Sequence, residues 1–184
     1  AEIILPTEHE GVPVTEIGRE AFTLNGNIKR VIVPEEYTTI GTRAFDTCVI
    51  MEKISLPTTL TTMGERVFAY CNELEEITLP GSIKTVSEST FENCELLSKV
   101  TLEEGITSIE KSAFSGCQSL VEINLPASIT SIKSGAFSGI KKISGIKFPE
   151  VEEDEEPRYI IVNECLIDTK IQTVIAGCAQ SQIP

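Results

Sequence analysis

Leu74-Glu-Glu-Ile77-Thr-Leu79-Pro80-Gly-Ser-Ile83-Lys-Thr-Val86-Ser-Glu-Ser-Thr-Phe91-Glu-Asn-Cys94 is one unit of a pattern that runs through most of this 184-residue chain. Within it, Leu-x-x-Ile-x-Leu carries apolar residues that alternate near its end, the period-two mark of a strand with one buried face. Pro80 then closes the strand, because proline has no amide to give to a ladder. A second short extended piece follows, which another copy shows as Leu60-Thr-Thr-Met63-Gly64. The stretch around each Phe, such as Glu110-Lys-Ser-Ala113-Phe114-Ser-Gly-Cys117, predicts one helical turn.

The unit recurs in strict register. Six of the seven Phe fall at Phe22, Phe45, Phe68, Phe91, Phe114 and Phe137, each 23 residues after the last. Pro34, Pro57, Pro80, Pro126 and Pro149 keep the same beat, with Glu103 in the remaining place, and so do Cys48, Cys71, Cys94 and Cys117. One unit is too small to bury its apolar face alone, so neighbouring copies must cover it. The expected fold is an α/β solenoid with Leu, Ile, Phe and Cys stacked as interior columns. Residues 1–149 hold six repeats of about 23 residues, the first with a five-residue insertion in Thr7-Glu-His-Glu-Gly-Val-Pro13. Residues 150–158 form an acidic loop, and 159–184 a hairpin that caps the stack or leads into a further repeat. In that hairpin Tyr159 to Asp168 reads as one strand and Thr173 to Ala176 as its partner. The whole is one domain.

These columns resemble the BspA-like leucine-rich repeats of bacterial surface proteins, whose unit runs Leu-x-x-Ile-x-Leu-Pro-x-x-Ile-Thr-x-Ile-Gly-x-x-Ala-Phe-x-x-Cys. Ile17-Gly18, Ile40-Gly41 and Met63-Gly64 match the Ile-Gly step. Ala21, Ala44, Ala113 and Ala136 match the Ala before Phe, whereas Val67 and Thr90 depart from it. The resemblance covers about residues 3 to 149 and implies a right-handed, horseshoe-like solenoid with a concave β-ladder. It also implies a noncatalytic binding or adhesion module displayed extracellularly at a cell surface, since the family motif contains no catalytic residue.

Chemistry beyond binding finds little support. A net charge of −13 repels phosphate backbones and anionic membranes, so nucleic acid is a poor partner. No apolar run is long enough for a membrane span. One His and no Trp, without a nucleophile or phosphate-loop motif, point away from enzymes and from any cofactor. His9 stands alone between Glu8 and Glu10. Cysteines spaced by 23 stand about one strand repeat apart with parallel Cβ vectors, a geometry for buried thiols rather than zinc or disulfides. Cys165 and Cys178 fall outside that column, and a bridge between them stays open. Glu150 to Glu156 places six carboxylates in seven positions without the turn glycine of a calcium loop, so it reads as a solvated charged loop.

The candidate binding face is therefore the strand residues that point away from the core. One column runs Arg30, Lys53, Glu76, Lys99, Glu122 and Gly145; the next runs Ile32, Ser55, Thr78, Thr101, Asn124 and Lys147. From Lys53 onward the first column alternates in sign, so the face is either a polar recognition surface or a self-paired charge ladder. The partner is then a host or bacterial surface protein. Alternatives are a glycan, for which the face lacks aromatic platforms, or no partner at all in a passive spacer. Both termini fall inside the repeat pattern, with Leu5-Pro6 at one end and Ile183-Pro184 at the other. That leads to the expectation of a segment of a longer surface protein whose remainder carries the export signal and anchor.

Overall fold

A computed structural model describes residues 1–141, 146–149, 156–162, 165–170 and 173–177. The repeat builds a solenoid with three edges. The first edge carries one short strand per coil in two parallel ladders, Glu2–Ile4, Arg30–Ile32 and Lys53–Ser55 in one and Glu76–Leu79, Lys99–Leu102, Glu122–Asn124 and Ile146–Lys147 in the other. Paired residues lie 23 apart from Arg30↔Lys53 onward, so each side chain stacks on its counterpart in the next coil. Glu16–Ile17, Thr39–Ile40, Thr62–Met63, Thr85–Val86, Ser108–Ile109 and Ser131–Ile132 form the second edge, also parallel.

The third edge corrects the expectation of helical turns around each Phe. Within these turns one residue in four is left-handed: Arg43 (φ 59), Thr47 (φ 62), Arg66 (φ 55) and Tyr70 (φ 59) show the spacing. A left-handed residue ends a right-handed helix at once. Every second amide, moreover, leaves its own turn to bond the next coil. The Phe45 amide donates to the Val67 carbonyl at 2.9 Å, while the Asp46 amide donates back to Arg43 at 3.1 Å. The turn is thus shared between local bonds and a third inter-coil ladder.

Between the edges run the columns read from the sequence. Phe45, Phe68, Phe91, Phe114 and Phe137 are wholly buried, with successive rings stacked from Phe22 onward at centroid distances between 5.1 and 5.7 Å. Phe22 is only partly buried, because among the described residues it has a ring neighbour on one side alone. Tyr37 occupies a place held elsewhere by Leu60 or Ile83, and its hydroxyl donates to the Pro6 carbonyl at 2.8 Å. Burial raises the Tyr37 pKa above the ordinary value, with Glu36 adding to it.

The inserted residues of the first coil make a tight hairpin, Glu8–His9 against Val12–Pro13, turned at Glu10 (φ 51) and Gly11 (φ 76). Two positive φ angles in succession suit a two-residue hairpin turn. Beyond the last coil, Tyr159–Val162, Cys165–Asp168 and Thr173–Gly177 form a three-stranded antiparallel sheet. What the sequence suggests as one strand from 159 to 168 is folded back on itself, with Tyr159 opposite Asp168. Tyr159 stacks on Phe148 at 6.5 Å, which docks this sheet on the solenoid. Asp168 is buried and accepts bonds from Arg158 Nη2 at 3.1 Å and the Lys170 amide at 3.0 Å. Cys178, Gly145, Ile183-Pro184 and most of the acidic loop lie outside the described residues.

Candidate interaction surface

Strand alternation decides what the first ladder shows to solvent. In each strand the middle residue, Val31, Ile54, Ile77, Val100 or Ile123, turns into the core, and its two neighbours turn out. The outward columns are those expected: Arg30, Lys53, Glu76, Lys99 and Glu122 in one, Ile32, Ser55, Thr78, Thr101, Asn124 and Lys147 in the other. The charge column pairs along its length. Lys53 Nζ stands 3.7 Å from Glu76 and Lys99 Nζ 3.4 Å from Glu122. Arg30, stacked in register on Lys53, turns instead to Glu2 at 3.9 Å and Glu52 at 3.8 Å. These pairs are exposed, so each contributes about 0–1 kcal/mol. They order the face rather than hold the fold.

A cleft of about 360 Å³ opens in the middle of this face and brings together Lys53, Ser55, Glu76, Thr78, Lys99 and Thr101. Its wall carries both signs of charge and four hydroxyls, those of Ser55, Thr58, Thr78 and Thr101. At one end of the face Ile4 and Ile32, paired in register, are 68% and 38% exposed, which adds an apolar step beside Arg30. Ile32 belongs to the column read from the sequence; Ile4 was missed, although it precedes Ile32 in the same register. Also missed was Glu52, one residue before the strand. It accepts from Lys29 Nζ at 2.6 Å, and that bond, then the Lys29 charge, lowers its pKa below the usual carboxylate value.

A second charged cluster sits on the turn edge. Asp46, nearly buried, meets Arg66 and Arg43 at 3.4 Å each, and Arg66 also bonds Glu92 and lies over the Tyr70 ring. The shared column of Arg43 and Arg66 was the available signal. The four cysteines of the repeat column, by contrast, are wholly interior. Cys48, Cys71, Cys94 and Cys117 each donate Sγ–H to a Phe carbonyl 26 residues earlier, at 3.0 to 3.3 Å. Burial raises all four thiols, Cys48 to about 11 and Cys117 to about 12, so they stay protonated and unreactive near neutral pH.

A repeated coil is what the family comparison finds as well. The BspA type leucine rich repeat region matches in six copies, over residues 11–120 and 86–176. This chain belongs to that family. The BspA-type fold recurs in solved structures. A leucine rich repeat protein of T. pallidum is 28% identical, with a TM-score of 0.58, over 74% of this chain and 76% of its own. A leucine rich cell surface protein from Faecalibacterium prausnitzii is 24% identical, with a TM-score of 0.66, over 100% of this chain and 56% of its own. The Pneumococcal vaccine antigen PcpA is 22% identical, with a TM-score of 0.78, over 99% of this chain and 47% of its own. This BspA-type chain therefore spans about half the length of those last two. No functionally curated protein matches it in sequence. BspA-type repeats of this fold are in general noncatalytic scaffolds and fit a role in protein interaction. Among the described residues no helix is long and apolar enough to cross a membrane.

Proposed function

We propose that this BspA-type repeat module is a noncatalytic adhesion module at a cell surface, and that its outward first-ladder face binds a protein partner. The observation that carries the reading is the cleft between Lys53 and Lys99, which adjoins an exposed apolar step at Ile4 and Ile32. A mixed polar centre with an apolar margin suits a protein surface better than a glycan, which favours aromatic platforms absent from these columns. Two relatives are described as a cell surface protein and a vaccine antigen, which supports display outside the cell. The closed Lys53–Glu76 and Lys99–Glu122 pairs favour the rival reading, a passive spacer whose charges satisfy one another.

A binding screen separates the two. The chain would be presented to arrays of host and bacterial surface proteins and of glycans, and each hit retested with Arg30→Glu, Lys53→Glu and Lys99→Glu. Loss of a protein hit with an unchanged circular dichroism spectrum supports the face. Binding that survives these changes but is lost with Arg43→Glu or Tyr70→Ala moves the site to the turn edge.

A further inference from the structure

The first ladder does not run unbroken. Lys53–Ser55 pairs with Arg30–Ile32 on one side, and Glu76–Leu79 with Lys99–Leu102 on the other, but no backbone hydrogen bond joins Lys53–Ser55 to Glu76–Leu79. Elsewhere the bond is regular: the Lys53 amide reaches the Lys29 carbonyl at 3.2 Å and the Lys99 amide the Glu75 carbonyl at 3.3 Å, whereas the equivalent Glu76-to-Glu52 bond is missing. The second ladder stops between the same two coils. Gly64 donates to the Ile40 carbonyl at 2.9 Å and Glu110 to Val86 at 2.9 Å, but the Ser87 amide makes no such bond to Met63. Its side chain substitutes, with Ser87 Oγ donating to the Met63 carbonyl at 2.8 Å.

The third edge is intact across this seam. The Arg66, Phe68 and Tyr70 amides donate to Glu88, Thr90 and Glu92 at 2.8 to 3.0 Å. Phe68 and Phe91 remain stacked at 5.5 Å but are tilted by 16°, the widest angle among the five stacked Phe pairs. Leu56 is only partly buried, while Val33, Leu79, Leu102 and Leu125 of the same column are buried. The cleft at the centre of the face lies over this gap.

A change of residue type falls at the same place. The step before each turn is Gly18, Gly41 and Gly64 in the first three coils, then Ser87, Glu110 and Lys133. A Cβ on Gly41 would lie 2.6 Å from the Arg19 amide nitrogen, and one on Gly64 2.4 Å from that of Thr42, so these coils approach in a way only glycine permits. Ser87 is the first residue that brings a Cβ to this contact. The later coils, which all carry one, pair normally with each other. The gap marks the junction of two stacking modes.

We infer that the solenoid is two rigid blocks joined by a flexing seam, which opens the first-ladder face by bending about the Phe68–Phe91 contact. Residues up to Gly64 lie in one block and those from Glu76 onward in the other, with the turn that carries Phe68 between them. The joint would let Lys53 and Lys99 adjust their separation to a bound partner, a use that rests on the proposed binding face; the joint itself is tested without any ligand.

Native-state amide exchange by NMR on the chain provides that test. Glu76 and Thr78 should exchange at least about 100-fold faster than Lys99 and Thr101, which hold the same places one coil on. Ser87→Gly should let the coils close as they do at Gly64 and slow Glu76 and Thr78 by at least about tenfold. Ser87→Ala, which keeps the Cβ but loses the hydroxyl bond, should leave them as fast or faster. Equal protection of Glu76 and Lys99 in the unaltered chain overturns the seam. Unchanged exchange in Ser87→Gly, with the fold retained by circular dichroism, overturns the assignment of its cause.

Discussion

Truncation of Phe114 to Ala should be among the costliest single changes in the chain. The ring is completely buried and lies between Phe91 and Phe137, each 5.3 Å away and nearly parallel at 8° and 4°. Lost transfer free energy and the cavity left behind cost about 3–5 kcal/mol for a buried Phe. The two stacking contacts, about 0.5–1.5 kcal/mol each, push the value toward the top of that range. Phe22 supplies the control. It is partly exposed and stacks on Phe45 alone, so its truncation should cost only about 1–2 kcal/mol. The assay is urea unfolding followed by circular dichroism. With a slope of about 2 kcal/mol per molar urea, Phe114→Ala should lower the midpoint by about 2 M and Phe22→Ala by less than about 1 M. Equal shifts for the two variants would refute the stacked-column account, because they differ only in how many coils cover the ring.

Glycine substitutions should separate close approach from open space. Gly64→Ala drives a Cβ to 2.4 Å from the Thr42 backbone and should destabilise by about 1–3 kcal/mol, whereas Gly18→Ala meets nothing within 4 Å and should be neutral or slightly stabilising in thermal melts. The thiol column makes stability depend on alkaline pH. Its folded pKa values lie above those of the unfolded chain, so the unfolded state loses protons first, and stability present below about pH 9 is lost as the pH rises toward 11 to 12. Each thiol contributes a slope of up to about 1.4 kcal/mol per pH unit there, and urea midpoints that are flat from pH 8 to 10.5 would contradict the burial. At neutral pH Cys71 and Cys94 should react with a thiol reagent only as fast as the coil stack opens; prompt labelling without denaturant would count against it.

Much of this protein follows from periodicity alone. A 23-residue repeat of a unit that cannot bury its own face forces stacking, and stacking in constant register puts Phe on Phe and Cys on Cys. The outward columns from Arg30 to Lys147 follow as well, because a strand alternates its faces whatever lies around it. Three features were beyond that reasoning. The stretch around each Phe has the local look of a helical turn, yet every second amide is claimed by the next coil, which no single unit reveals. The segment from Tyr159 to Asp168 is uniformly strand-like, and only pairing decides that it folds into two strands rather than one. The seam depends on distances: the change from Gly64 to Ser87 is plain in the chain, but that a Cβ on Gly64 would meet backbone at under 3 Å is a property of the packed coils. Side-chain columns are set by the order of residues, whereas the spacing between coils is set by whichever atoms touch first.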